Sequence, residues 1–259
     1  MTTAKFKVES GAQLLARLIK KPVIKNFYSN LFQPGLKNDD VVEVSGNNSS
    51  ALLIDLINEG LAPSGSIEEP IGVLVFNTVG HLNYKELINA LKKKIVSSLN
   101  TYCDAEIGTV LHKALSNLFI LNIYDATQFY TTIHNLDNIL AHHQNISLLI
   151  FDTLTAFYWS EQGLKITKMD LYVKNVLRMI QKVSKEYKVI LIYTRPGYFN
   201  SSKDSGNIGE VKMTEGVNFK VQLLDNNSST GAYEVNVITT DSSYHKKYLS
   251  TIDNEINWQ

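Results

Sequence analysis

Ser147-Leu148-Leu149-Ile150-Phe151-Asp152-Thr153-Leu154-Thr155-Ala156-Phe157-Tyr158-Trp159 is the stretch that decides the fold. Leu148 to Phe151 run without a polar break and stop at Asp152. An unbroken apolar run of this length fits a strand buried on both faces, at the centre of a mostly parallel sheet. Open α/β sheets bind ligands at the carboxyl ends of their strands, which is where Asp152 falls. A core strand followed by a helix-capping Asp gives the same pattern. The residues that would accompany Asp152 in a binding site must therefore decide between a ligand-holding carboxylate and a structural one.

Composition narrows the setting. The chain has 259 residues, 44% of them hydrophobic, enough for one sizeable core in a single α/β domain with a short extension. Lys+Arg and Asp+Glu are both 25, so the net charge is zero. That balance excludes strong, unassisted nucleic-acid binding, which relies on neutralising phosphates. Cys103 is the one cysteine, so no internal disulfide can form and a reducing compartment is expected. No apolar run approaches the length of a membrane span, and the polar N-terminus does not read as a signal peptide, so no membrane partner is expected. The six histidines show no ligand spacing, His142-His143 reads as a helix end, and no metal site is expected.

Working outward, strand and helix patterns alternate. Residues 1–40 read as an arm with one short helix, Ser10-Gly11-Ala12-Gln13 forming a capping box ahead of Leu14, Leu15 and Leu18, and Pro22 ending it. Asn30-Leu31-Phe32 is an apolar hook that either docks on its own core or is donated to another chain; the uncovered face of the nearby helix favours self-docking. Residues 41–259 read as the core. Val41–Val44 is a strand, Gly46–Ser49 a turn, and Ser50 opens a helix with Leu52, Leu53 and Leu56. Gly72–Phe76 is a second strand; Tyr84, Leu87, Ile88, Leu91 and Ile95 mark a helix, Ile107–Leu115 another, and Leu118–Leu121 a strand. Phe129, Ile133, Leu136 and Leu140 predict one further helix before the central strand. Val173, Val176, Leu177, Ile180, Val183 and Tyr187 mark a long helix, followed by the strand Val189–Tyr193. Asn200–Gly216 is a polar loop expected to be mobile. The end is all β, with strands Phe219–Leu224, Tyr233–Thr240, Tyr248–Ile252 and Glu255–Trp258, the last two forming a hairpin around Asp253-Asn254. Strand–helix alternation followed by a β tail predicts an α/β fold with a mostly parallel sheet and helices on both faces.

A strand, turn and helix in the order of a phosphate-binding loop are present at Val41–Val44, Gly46–Ser49 and Ser50, but their contents are not. The motif G-x-x-x-x-G-K-[ST] places six residues between its first Gly and its Ser/Thr. Here only Asn47, Asn48 and Ser49 separate Gly46 from Ser50, with no second Gly and no Lys. A loop that short cannot wrap its N–H groups around a phosphate, and without the Lys a charge-assisted bond of about 1.5–3 kcal/mol is missing. A helix N-terminus at Ser50 would still attract an anion weakly.

Two stretches carry a family resemblance. Glu9-Ser10-Gly11-Ala12-Gln13-Leu14-Leu15-Ala16-Arg17-Leu18 resembles an N-terminal signature of a eukaryotic recombinase paralogue. Leu148 to Trp159 resembles its Walker B strand with an aromatic tail, Phe157-Tyr158-Trp159. Element order agrees from about residue 5 to 195, and the hairpin Lys247 to Trp258 is also similar. The chain thus resembles the RecA-like recombinase superfamily, and within it the paralogues without the N-terminal helical domain.

The resemblance implies a RecA-type P-loop ATPase core with a degenerate Walker A loop. It makes Gly46, Ser49, Ser50 and Asp152 the vestigial ATP and Mg²⁺ positions. The acid that prepares the attacking water falls near Phe76-Asn77-Thr78-Val79-Gly80, where neither Asn77 nor Val79 can act as a base. The γ-phosphate sensor position ends Thr194-Arg195-Pro196, without Gln. Lys, base and sensor are all absent, which argues against hydrolysis and leaves no cofactor expected.

By resemblance, the expected function is a non-catalytic scaffold subunit in homologous-recombination DNA repair, acting in the nucleus. Its expected partner is a D-type recombinase paralogue within a mediator complex on single-stranded or forked DNA. The resemblance also places DNA contact at Ser160–Lys168, with Lys165 and Lys168, and at Asn200–Gly216, with Lys203 and Lys212; solvated loops carry such lysines too. A weak DNA-dependent ATPase built on Asp152 is the alternative from another class. An Elongator-type pseudo-ATPase subunit is a further one, against which the N-terminal signature and the aromatic tail argue.

Overall fold

The computed structural model describes residues 11–19, 21–46, 49–62, 70–98, 104–162, 168–196, 213–225, 232–241, 244–252 and 255–258. Among them, nine strands form one sheet in the order β3-β2-β4-β5-β1-β6-β7-β8-β9. In chain order these are β1 (Val41–Gly46), β2 (Gly72–Asn77), β3 (Leu118–Asn122), β4 (Ile146–Asp152), β5 (Ile190–Arg195), β6 (Phe219–Asp225), β7 (Ala232–Thr239), β8 (Tyr244–Ile252) and β9 (Glu255–Trp258). β4 lies between β2 and β5, pairs in parallel with both, and every one of its residues is buried, as the unbroken apolar run requires. The parallel part runs from β3 to β6; β7, β8 and β9 then add in antiparallel fashion to the same sheet.

Helices cover both faces. On one face lie α2 (Ser49–Leu61), α3 (Tyr84–Ser98) and α4 (Asp104–Leu115), packed on Val42, Val44, Ile190, Ile192, Leu148 and Ile150. The opposite face carries α1 (Gly11–Leu18), α5 (Ala126–His134), α6 (Leu136–His142) and α7 (Met169–Glu186), over Val41, Leu149, Phe151 and Leu191. Period-2 alternation within each strand sends neighbouring residues to these two separate cores. The fold is thus α/β with a mostly parallel central sheet flanked by helices.

Two elements differ from the sequence expectation. The single helix over Phe129–Leu140 is broken at Asn135, whose backbone N–H donates to the carbonyls of both Thr131 and Thr132. The apolar spacing survives the break, so Phe129, Ile133, Leu136 and Leu140 all stay buried. β8 begins at Tyr244, ahead of the expected Tyr248, because its charged residues find partners across the ladder: Lys246 pairs with Glu234 of β7 at 2.7 Å.

Of the two fates for the hook at Asn30-Leu31-Phe32, the structure has the self-docked one. Leu31 and Phe32 are fully buried among residues of α2 and the sheet, and Phe32 meets Phe219 edge-on with ring centroids 5.3 Å apart. The turn that returns the chain needs Gly35: its φ is +123°, and a Cβ there would lie 2.2 Å from the Asn26 Cα. Ser10 of the expected capping box lies outside the described residues.

Candidate functional site

The carboxyl ends of β1, β2, β4 and β5 form the site. Asp152 ends β4, is 5% exposed, and accepts a hydrogen bond through Oδ1 from the Thr194 hydroxyl of β5 at 3.0 Å. Its Oδ2 is buried without a hydrogen-bond partner. Burial pushes the Asp152 carboxyl above the usual carboxylate range; the Thr194 bond and the charge of His81 act in the opposite direction and are outweighed. The main chain around it is stapled on both sides. Thr78 donates to the Asp152 carbonyl through its N–H at 2.9 Å and its hydroxyl at 2.8 Å, and accepts from the Thr153 N–H at 2.7 Å. The Thr153 hydroxyl donates to the Thr194 carbonyl. The Asp152–Thr153 peptide is cis.

Asn77 ends β2 in register with Asp152. Its Nδ2 donates to Asn122 Oδ1 at 2.8 Å and to the Tyr84 hydroxyl at 3.2 Å, the Tyr84 hydroxyl donates to the same Asn122 oxygen at 3.0 Å, and its Oδ1 accepts from the Gly80 N–H at 3.1 Å. The amide is thus spent on its neighbours. Val79 stands on the exposed rim and has no proton-accepting group.

Gly46 ends β1, and Ser49 and Ser50 are the first two residues of α2. Gly46 has φ +122° and lies against the Leu223 carbonyl of β6, so close that a Cβ would meet that oxygen at 2.2 Å. The close approach of β6 backbone at this position leaves room for glycine alone. The first turn of α2 carries no acidic residue. Asn47 and Asn48 lie outside the described residues.

A buried ionic row went unnoticed in the sequence. Tyr193, Glu43 and Lys220 stand side by side across β5, β1 and β6. Glu43 Oε2 accepts from the Tyr193 hydroxyl at 2.6 Å and from the Thr214 hydroxyl at 3.0 Å, while Oε1 lies 3.7 Å from Lys220 Nζ. Burial, reinforced by the Glu43 charge, drives the Tyr193 hydroxyl well above its ordinary pKa. One row further on, Arg195 reaches Asp170 of α7 at 2.7 Å. The available signal was a charge inside each of two apolar runs, Val41-Val42-Glu43-Val44 and Phe219-Lys220-Val221. Opposite charges within buried strands call for each other.

Beyond β4, the aromatic tail is held by bonds to Glu161 and by ring contacts, Trp159 packing edge-on against Tyr158. Tyr130 and Tyr172 both donate to Glu161, at 2.8 and 3.1 Å, and Tyr158 packs edge-on against Tyr172. Burial and the bond to Glu161 raise the Tyr130 hydroxyl to about 12. Trp159 remains 63% exposed. Lys168 is exposed at the N-cap of α7. Lys165, Lys203 and Lys212 lie outside the described residues.

These residues fit half of a nucleotide site. The free oxygen of Asp152 suits a cation. The phosphate half has neither a lysine nor a glycine-rich loop in sequence, so the residues do not fit a bound triphosphate.

No family model matches the chain. It is 23% identical over 209 residues to DNA repair protein XRCC2 of Mus musculus, covering 78% of this chain and 72% of the relative. The α/β architecture accords with the RecA-like core expected of such a relative, and the chain resembles XRCC2, a RecA-like recombinase paralogue.

Proposed function

We propose that this chain acts in homologous-recombination DNA repair, in the nucleus, as a scaffold subunit that docks recombinase paralogues and does not turn over ATP. The observation that carries the DNA-repair role is the aligned likeness to XRCC2. Support for the non-catalytic part comes from the site. Asn77 stands where an acid would prepare water and has spent its amide on Asn122, Tyr84 and Gly80. Arg195 stands where a sensor would reach phosphate and is turned toward Asp170.

A docking scaffold needs an open edge. β3 and β9 bound the sheet. β9 carries Glu255 and Asn257, whereas Leu118, Phe119, Ile120 and Leu121 of β3 are apolar and only partly buried. No Lys, Pro or bulge blunts that strand, so β3 is the edge suited to accept a partner's strand. The partner is a D-type recombinase paralogue, and through it a mediator complex on single-stranded or forked DNA.

Co-purification with that paralogue tests the proposal: stable capture is expected, and a soluble chain that ignores every recombinase paralogue would refute it. A second reading, a weak ATPase, draws on the free Asp152 oxygen. Titration with a fluorescent ATP analogue separates the two. The scaffold predicts no saturable Mg²⁺-dependent binding in the micromolar range.

A further inference from the structure

α7 buries one face against the sheet and turns the other to solvent, and that outer face is a line of cations. Lys174, Arg178, Lys182 and Lys185 follow one another at steps of four, four and three residues, and Lys188 continues the line just past the helix end. Steps of three and four lie on one helix face. At 1.5 Å per residue the line is about 21 Å long. Arg178, Lys182, Lys185 and Lys188 are exposed, and Lys174 is half-buried.

The acids nearby are fewer than the cations: Glu186, partly buried, ends the same helix one turn past Lys182, and Glu215 and Asp170 lie toward its start. Glu215 takes Lys174 and Arg178, and Asp170 is held by Arg195. Among the described residues no carboxylate lies within ion-pair distance of Lys182, Lys185 or Lys188; Asp39 feels Lys188 and Lys185 only as a longer-range charge. A chain of zero net charge thus concentrates unpaired positive charge on one helix.

We propose that the outer face of α7 is a binding ridge for the phosphate backbone of duplex DNA. Its length spans about six phosphates of one strand at 3.4 Å of axis each. A protein partner would need a cluster of apolar or aromatic anchors within the patch; Leu171, one turn ahead of Lys174, is the one exposed apolar residue of α7, and from Lys174 to Lys188 the exposed residues are Asn175 and the cations. A membrane surface would need the apolar face of the helix, which is in the core. Single strands are gripped by aromatic stacking, and the ridge presents no exposed ring. The inference extends the DNA-repair reading by naming a contact outside the loops after β4 and β5.

The test is fluorescence anisotropy of the full chain with a labelled duplex of about 20 base pairs, across a salt series. Lys182→Gln/Lys185→Gln/Lys188→Gln is expected to weaken binding at low salt at least tenfold and to reduce the salt slope by about 2.7, near 0.9 per lost cation. Lys85→Gln/Lys92→Gln on α3, under the opposite face, should change neither. Since last-turn cations also favour the helix dipole, the melting temperature of each variant is measured alongside. Protection of Lys182, Lys185 and Lys188 in the unaltered chain from acetylation when duplex is added gives a readout independent of any substitution. Absence of duplex binding, an unchanged slope in the triple variant, unprotected lysines, or tighter binding of a single strand or an acidic peptide would each overturn the assignment. Paralogue capture should survive in the triple variant. A chain that binds duplex through the ridge but captures no paralogue would sink the scaffold function and leave this site standing.

Discussion

At the scale of single residues, Asp152 is the informative one. Its native carboxyl binds a proton more tightly than an ordinary one of pKa 3.8, because burial penalises the charge. The native state therefore holds more protons than the unfolded chain between 3.8 and the raised native value, and stability falls as pH rises through that interval. Asp152→Asn removes the buried charge while keeping an acceptor for Thr194. It should stabilise the protein at pH 7 by about 1–2 kcal/mol in urea unfolding, the gain shrinking as pH drops toward 4. If Asp152 instead serves a cation, the substitution brings no gain, and Mg²⁺ raises the melting temperature of the unaltered chain. Gly46 makes the complementary case. Gly46→Ala forces a Cβ onto the Leu223 carbonyl in a left-handed conformation and should cost about 2 kcal/mol or more, read from the urea midpoint.

At the scale of elements, the N-terminal hook and the C-terminal hairpin hold one another. Trp258 of β9 donates to the Tyr28 hydroxyl at 3.1 Å, Tyr28 donates to Asp55 of α2, and Lys247 of β8 donates to the Asn30 carbonyl. These bonds join the two ends of the chain to the helix that starts at the site. Phe32 is the apolar centre of the arrangement, so Phe32→Ala should cost about 3–5 kcal/mol in denaturant unfolding of the isolated chain. A hook meant for donation would behave otherwise: loss of partner capture with stability unchanged. The elements themselves were mostly legible beforehand, because apolar spacing dictates them. The break at Asn135 was not, since the pattern Phe129, Ile133, Leu136, Leu140 suits one helix or two equally well.

At the scale of the whole molecule, the question is which surface meets a partner. Ile123 donates its N–H to the Asn77 carbonyl, and N–H groups alternate along a strand, so the even-numbered residues of β3 turn theirs away from β2. Ile120→Pro removes one outward donor and leaves the inner ladder whole. The variant should fold with a melting temperature close to that of the unaltered chain yet lose paralogue capture in co-purification. Capture undiminished by Ile120→Pro would move the docking surface off β3. The ridge proposed on α7 belongs to a helix layer and β3 is an edge strand, so the two proposals are tested by separate substitutions.

The amino-acid sequence by itself determined the class of fold and the lack of a Lys and a second Gly between Gly46 and Ser50. Both are local: an apolar run without alternation dictates a buried parallel strand, and a loop missing its Lys and second Gly is missing them in any fold. Only the tertiary structure decided that Asn77 is consumed by Asn122 and Tyr84, and that Glu43 meets Lys220 from a strand 177 residues away in sequence. It alone showed which oxygen of Asp152 is left free and that Lys182 and Lys185 of α7 face outward. The reason is physical: pairing and burial depend on sheet order, and β1 acquires β5 and β6 as neighbours only after the chain has crossed the sheet and returned.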